Sequence, residues 1–472
     1  MKLTHIALAL AALVSAQAGH AATAVLTGAS AFSVNQARAL KNICSGTYTL
    51  YKSSASTSAL TNDFTATCSV NFTGTAIDQV RINVSAGSYG AVVHATVNGT
   101  LTQRFIDPAS AACAAATPFA GSGGLSFATA IRNCVGTVNQ TSEGGFLDVE
   151  GAIIRGIGAV SIPAGVNDAV DFLPSNFVQA FGVGVSESLY RSLMAYQVAK
   201  GQLPSTCATT SQAGSPVVTT YTALPTTDAS YSLPACQPSL SRAAITAMME
   251  AGFNDSKEAG ASAFFGGTGG TTPVANDLTA TQAISPAVSA GTQIKFCRRV
   301  DTSGTNGAMQ TYFLTNPTAS GEGGGRLVIA GSGALNGDVD TYGGSTYLVQ
   351  ANGGTSDVRT CLNTGHAFGI LSLENNPIGG QSYRFVKINN QFGADGVAGA
   401  AQTAEAIAGR YDFAYEAFKY CPGGTCSALM DAIDNGVAPG QSTPGVYLKA
   451  ESRFTRNGNN QSPMTTKPRD LP

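Results

Sequence analysis

Tryptophan is absent from the 472-residue chain, and charged residues make up only 11% of it, for a formal net charge of −2. With no indole, and with 15 Tyr and 21 Phe spread along the chain, there is no platform for stacking on sugar rings. Lys and Arg are too scattered to form the basic patch that nucleic acid or a polyphosphate requires, which excludes nucleic acid as an expected partner. Histidine is scarce as well, with only His94 and His366 beyond residue 22. No CxxC or HExxH spacing gathers ligands for zinc, so no metal and no cofactor is expected. A G-x-S-x-G elbow is missing too, and a Ser-His-Asp triad could draw only on those two histidines. The chain therefore does not read as an enzyme. Beyond the N-terminus, Gly, Ser, Thr and Asn interrupt every hydrophobic run well short of the roughly 20 residues a membrane helix needs.

The chain opens with Lys2, the apolar run Ile6 to Val14 and the small residues Ser15 to Ala22. That order describes a secretory signal peptide, with cleavage expected near Ala18, Ala21 or Ala22 and a destination in the periplasm or outside the cell. Ten cysteines, at 44, 68, 113, 134, 207, 236, 297, 361, 421 and 426, fit such an export route. An even number in an exported chain predicts disulfides. Pairing each cysteine with the next would close mostly short loops, although spacing alone does not decide connectivity.

Short apolar runs alternate with amphipathic stretches, a pattern that predicts α/β layers with a largely parallel sheet. Val80 to Val84, Ala91 to Val97, Phe181 to Val185 and Phe368 to Leu373 read as strands, rich in Val, Ile and Phe. Ser186 to Gln197 reads as a helix capped by Ser186, and Ser239 to Ala251 as a helix started by Ser239 or Ser241 and ended by Gly252. His94 and His366 read as packed histidines beside strands. The Ser/Thr/Gly-rich stretches Cys207 to Cys236, Gly266 to Pro273 and Gly321 to Gly354 look like surface insertions, and Arg456 to Pro472 like a polar tail.

The segment richest in chemistry is Arg298-Arg299-Val300-Asp301-Thr302-Ser303-Gly304-Thr305, followed by a helix-compatible run from Asn306 to Leu314. A Ser-Gly-Thr turn opening a helix offers unpaired backbone N–H groups, two hydroxyls and the positive end of the helix dipole. Arg299, four residues upstream of Ser303, has a planar fork that can hold two oxygens of a tetrahedral anion. The plainer reading of the same residues has Ser303 or Thr305 only capping the helix while Asp301 pairs with an arginine.

Arg299-x-Asp301-x-Ser303-Gly304-Thr305 resembles the signature of the phosphate-binding proteins of bacterial phosphate ABC importers. Other pieces follow in that family's order. Leu26-Thr27-Gly28-Ala29-Ser30-Ala31-Phe32 resembles its Gly-rich first turn, and Gly87-Ser88-Tyr89-Gly90 its Gly-Ser-Ser-Gly loop. Asp148, in Phe146-Leu147-Asp148-Val149-Glu150, resembles the aspartate of its Ser-Asp site. Ala180 to Val185 and Gly369 to Asn375 resemble its crossing or near-cleft strands.

The resemblance implies a type II periplasmic binding protein fold, two lobes with central mixed β-sheets joined by hinge strands. Residues 1–22 would be the signal peptide, 23–175 with 365–455 lobe one, 176–364 lobe two and 456–472 the tail. It also implies a monomer that captures phosphate or a similar oxyanion and delivers it to an ABC permease. Backbone donors would come from Ala31 and Phe32, a hydroxyl from Ser88, and the opposite wall from Arg299, Ser303, Gly304 and Thr305. Asp148 would accept the proton of a phosphate oxygen and so discriminate against sulfate, which has none to give. Two positions depart from the family: its first-turn threonine is Ala31 here, and the serine before its aspartate is Leu147. An adhesive surface or matrix protein on the same fold, or a weak phosphatase-like relative, is the alternative.

Overall fold

The computed structural model describes residues 22–455 except 54–59, 61, 96–100, 111–112, 114–116, 120–126, 157–161, 252–277, 289–292, 315–335, 343–344, 376, 378–380, 391–399 and 444, together with Thr465 and Thr466. The expected signal peptide, apart from Ala22, lies outside these residues. So do the 266–273 insertion, much of the 321–354 stretch and most of the C-terminal tail.

The described chain is mixed α/β. β1 (Thr23–Gly28) is buried on both faces, as a central strand with parallel neighbours should be. It leads through a 3-10 turn at Ser30–Phe32 into α1 (Ser33–Ile43). β2 (Tyr48–Lys52), β3 (Asp63–Cys68) and β4 (Gln79–Asn83) form an antiparallel meander whose last strand pairs parallel with β1. The short helix α2 (Gly87–Val93) follows, and then β5 (Gly144–Leu147), parallel to the other edge of β1. Gly28 has φ +131°, and a Cβ there would stand 2.0 Å from the Phe146 carbonyl oxygen, so only glycine lets β1 end against β5.

The 15-residue β6 (Phe172–Ser186) is the longest strand among the described residues. α3 (Glu187–Ala199) comes next, and then β7 (Gln293–Arg299), α4 (Gly304–Leu314), β8 (Ser345–Asn352) and α5 (Thr355–Leu362). β9 (His366–Ser372), β10 (Tyr383–Ile388), β11 (Ala414–Tyr420), α6 (Ala428–Asn435) and β12 (Val446–Leu448) complete the core. β6 belongs to two neighbourhoods. Its residues Phe172 to Ala180 pair antiparallel with β11, which continues to β5, whereas Phe181 to Val185 pair with β9 and Val183 to Ser186 with β10. β7 lies parallel between β8 and β9. One hydrophobic cluster gathers around Leu26, Phe64, Ile82 and Ile433, and a larger one around Phe181, Leu193, Phe296 and Phe368.

Strand pairing sets β9 between β7 and the C-terminal half of β6, β10 along that same half of β6, and residues 177–180 beside β11 and β12. Several sequence expectations need correction. Ala91 to Val97 is not a strand: its described residues finish α2 and reach Ala95, because an apolar run this short fits either periodicity. Ser186 sits at the N-terminus of α3 without capping it, since its hydroxyl accepts from the Ala367 N–H at 3.0 Å. Ser239 lies in a two-residue strand, and the helix over Arg242–Ala251 starts from Ser241, whose hydroxyl accepts from the Ala244 N–H. The Cys207 to Cys236 stretch is structured: its hairpin Ala208–Ala213 and Val218–Ala223 is joined by the parallel strand Gln282–Ser285.

All ten cysteines are bonded in sequential order, Cys44–Cys68, Cys113–Cys134, Cys207–Cys236, Cys297–Cys361 and Cys421–Cys426. Five disulfides indicate an oxidising, extracytoplasmic environment. No helix of the described residues is long and apolar enough to cross a membrane.

Candidate functional site

The turn after β7 holds the segment singled out above. The Val300 carbonyl accepts from the Ser303 N–H at 3.0 Å, and the Ser303 carbonyl accepts the first i to i+4 bond of α4 from Gly307. The N–H groups of Gly304, Thr305 and Asn306 therefore have no partner within the helix. Asp301 pairs with Arg298 at 2.6 Å and accepts from Asn306 Nδ2 at 3.2 Å. That pairing leaves Arg299 to the other side of the strand.

Arg299 is 5% exposed. Its guanidinium donates to Thr355 Oγ1 at 2.9 Å and to the Gly353 carbonyl at 3.0 Å, and its Nε is buried without a partner. Among the described residues no carboxylate forms an ion pair with it. Burial pulls its pKa down, while the charges of Asp148, Asp357 and Glu374 oppose that effect.

The facing wall comes from three places in the N-terminal third. Ser88, on α2, accepts from the Asp148 backbone N–H at 3.0 Å. Asp148, just past β5, is 4% exposed; its Oδ2 lies 3.5 Å from the Thr305 hydroxyl and its Oδ1 has no hydrogen-bond partner. Desolvation pushes its pKa up to about 6, against the opposing pull of Arg299, the Thr305 and Ser88 hydroxyls and the Thr305 N–H. Ser30 Oγ lies 3.2 Å from Thr355 Oγ1, which links the first turn to the residue that holds Arg299.

These contacts bring Ser88, Asp148, Arg299, Ser303, Gly304 and Thr305 together. A Cβ on Gly304 would meet Ser88 Oγ at 2.3 Å and Asp148 Cβ at 2.7 Å, and one on Gly87 would lie 3.9 Å from an Arg299 Nη. The Tyr89 N–H donates across the same seam to the Thr302 carbonyl at 3.2 Å. Ala31 and Phe32, at 3% and 0% exposure, lie beside Ser30, but the Phe32 N–H is already directed at the Ala29 carbonyl at 3.4 Å.

Two further residues belong to the site, Thr355 and Gly353, which fix the guanidinium. Gln179 and Glu374, whose charge acts on Arg299, stand at the end of the antiparallel pairing of β6 with β9. Glu374 Oε1 accepts from Ser372 Oγ at 2.6 Å and from Asn375 Nδ2 at 3.0 Å, and Oε2 from Gln179 Nε2 at 3.1 Å. Desolvation pushes its pKa up to about 8; hydrogen bonds to Ser372, its own backbone and Gln179 oppose this, and the Asp148 charge adds to it. Ser30 and Glu374 lie inside sequence stretches already singled out, whereas nothing in the sequence marks Thr355 or Gln179. The two histidines stand apart: His94 Nδ1 is 3.0 Å from the Leu101 carbonyl, and His366 Nδ1 is 3.0 Å from Ser188 Oγ.

Chemically, the arrangement offers one guanidinium, one helix N-terminus, several hydroxyls and a carboxylate with an unused acceptor. It suits a small anion that also carries a proton. Comparison with protein-family models, with curated proteins and with solved structures finds no match.

Proposed function

We propose that this chain is an exported substrate-binding protein of type II periplasmic binding architecture, which captures a small oxyanion, phosphate first, between two walls joined by crossing strands. The observation that carries this reading is a pair of incompletely met polar groups across one seam: among the described residues, the buried Arg299 has no carboxylate ion-pair partner and an unpartnered Nε, and the buried Asp148 Oδ1 has no donor. A buried cation and a buried acceptor each cost free energy until something meets both. A hydrogen-bearing tetrahedral anion does so, placing two oxygens on Arg299 and the α4 N-terminus and its proton on Asp148. The guest then contacts both walls and stabilises the form in which they meet. Delivery to an ABC permease from the periplasm, and action as a monomer, belong to the same proposal.

A second reading, an adhesive surface or matrix role, is favoured by Ala31 and Leu147, two positions without hydroxyls in the matching motifs. A thermal-shift screen over phosphate, phosphonate, sulfate, arsenate and molybdate separates the two. The transport reading expects phosphate and arsenate to raise the unfolding temperature and sulfate to leave it unmoved; at 100 times its Kd a guest adds about 2.7 kcal/mol of stability. No shift with any oxyanion favours the adhesive reading.

A further inference from the structure

The guanidinium of Arg299 has more N–H donors than the protein uses. Thr355 Oγ1 accepts from Nη1 at 2.9 Å and the Gly353 carbonyl from Nη2 at 3.0 Å, while Nε is buried without a partner. Thr355 Oγ1 also lies 3.2 Å from Ser30 Oγ, in the first turn after β1. A hydroxyl carries a single proton. Whichever of Ser30 and Thr355 donates in their mutual contact, the other keeps its proton, and among the described residues no acceptor takes it. We propose that Thr355 is a direct ligand of the captured oxyanion: its hydroxyl, held between Ser30 and Arg299, donates a hydrogen bond to an oxygen of the guest. The proposal rests on the oxyanion reading above.

The surroundings of Thr355 assign the spare proton to it. Its oxygen has two lone pairs, one facing the Arg299 N–H and one within reach of the Ser30 hydroxyl, which leaves its own proton directed away from both. The positive charge of the guanidinium favours that orientation, since it attracts the hydroxyl oxygen and repels the proton. An anion gripped by the remaining N–H groups of Arg299 then lies beside Thr355, where a hydroxyl makes a charge-assisted bond to it. Thr355 is also the first residue of α5, so its backbone N–H has no partner within the helix. Asp357, the acidic residue of that turn, accepts from the Gly354 N–H at 2.9 Å and caps the helix instead of taking the Thr355 proton. Ser30 comes from the first turn and Thr355 from the far side of the seam, so a guest on Thr355 sits where the two walls touch. Ala31, next to Ser30, has no hydroxyl of its own to contribute.

The test is calorimetric titration of phosphate into the full chain and into Thr355→Val, Thr355→Ser and Ser30→Ala, together with a crystal structure of the phosphate complex. Valine keeps the shape of threonine without its hydroxyl and should raise the Kd about tenfold or more. Serine restores the hydroxyl and should recover most of that loss. Ser30→Ala leaves the Thr355 proton in place and should lose less than Thr355→Val. A side chain that only steadied Arg299 would give the same order, so the complex decides between the two roles: Thr355 Oγ1 is expected about 2.7 Å from a phosphate oxygen. The proposal is overturned, with the oxyanion reading left standing, by saturable wild-type binding that Thr355→Val does not weaken. A phosphate out of hydrogen-bond reach of Thr355 does the same, as does a Ser30→Ala loss equal to that of valine, which gives the proton to Ser30. Should Thr355→Val fail to fold, a Thr355→Ser protein that binds far more weakly than wild type overturns the proposal in its place. No saturable phosphate binding to the wild type overturns both readings.

Discussion

Asp148→Asn gives a sharp check on the electrostatics of the seam. In the folded protein the carboxyl is pushed from an ordinary 3.8 to about 6, chiefly by desolvation. The folded state therefore holds the Asp148 proton more tightly than the unfolded chain does. The stabilisation this provides is complete below the unfolded value and is lost as pH rises through about 6. At about 1.4 kcal/mol per pH unit, the ionised carboxylate costs the wild type about 3 kcal/mol at pH 8 and about 1 kcal/mol at pH 4.5. Asparagine keeps the shape and the acceptor facing Thr305, places an amide on the unpartnered Oδ1 side, and does not titrate. Asp148→Asn should accordingly be more stable than wild type by up to about 3 kcal/mol at pH 8, with the advantage shrinking by about 2 kcal/mol at pH 4.5. Guanidinium unfolding at the two pH values, in phosphate-free buffer, measures this directly. A variant less stable at pH 8, or an advantage equal at both pH values, refutes the reasoning that burial governs this carboxyl.

Gly304→Ala should weaken phosphate binding at least about tenfold, because its Cβ would intrude on Ser88 Oγ at 2.3 Å; calorimetry on the purified variant checks it. Replacing Cys297 and Cys361 together by Ala opens a link between residues 64 apart and should lower unfolding free energy by about 4 kcal/mol, read from denaturant curves. Thiol titration of the unfolded, unreduced protein should find no free thiol, and after reduction ten per chain.

Local chemistry was legible in the sequence wherever neighbouring residues build the feature. Ser303-Gly304-Thr305 opens α4 where the turn chemistry places it, Asp301 pairs with an arginine as a short-range acceptor should, and each cysteine bonds its neighbour in order. Strands such as Gln79–Asn83 and His366–Ser372 lie where apolar β-branched and aromatic residues cluster. The failures have one source: they depend on partners distant in the chain. Ala91 to Val93 are buried by packing of α2 against β1 and β5, and that burial fits a helix as well as a strand. Thr355 matters only because β8 and β7 lie side by side and bring Gly353 and Thr355 to Arg299, and Gln179 only because β6 passes Glu374 as it crosses between sheets.

The central claim is that Arg299 and the N-terminus of α4 grip one tetrahedral anion against the wall bearing Asp148. Calorimetric titration of phosphate into wild type and into Arg299→Gln tests it most directly. The account predicts saturable one-to-one binding to the wild type, weakened about a hundredfold or more in the variant as two charge-assisted hydrogen bonds are lost. A wild type that gives no saturable heat, or an Arg299→Gln protein that binds phosphate as tightly, contradicts it.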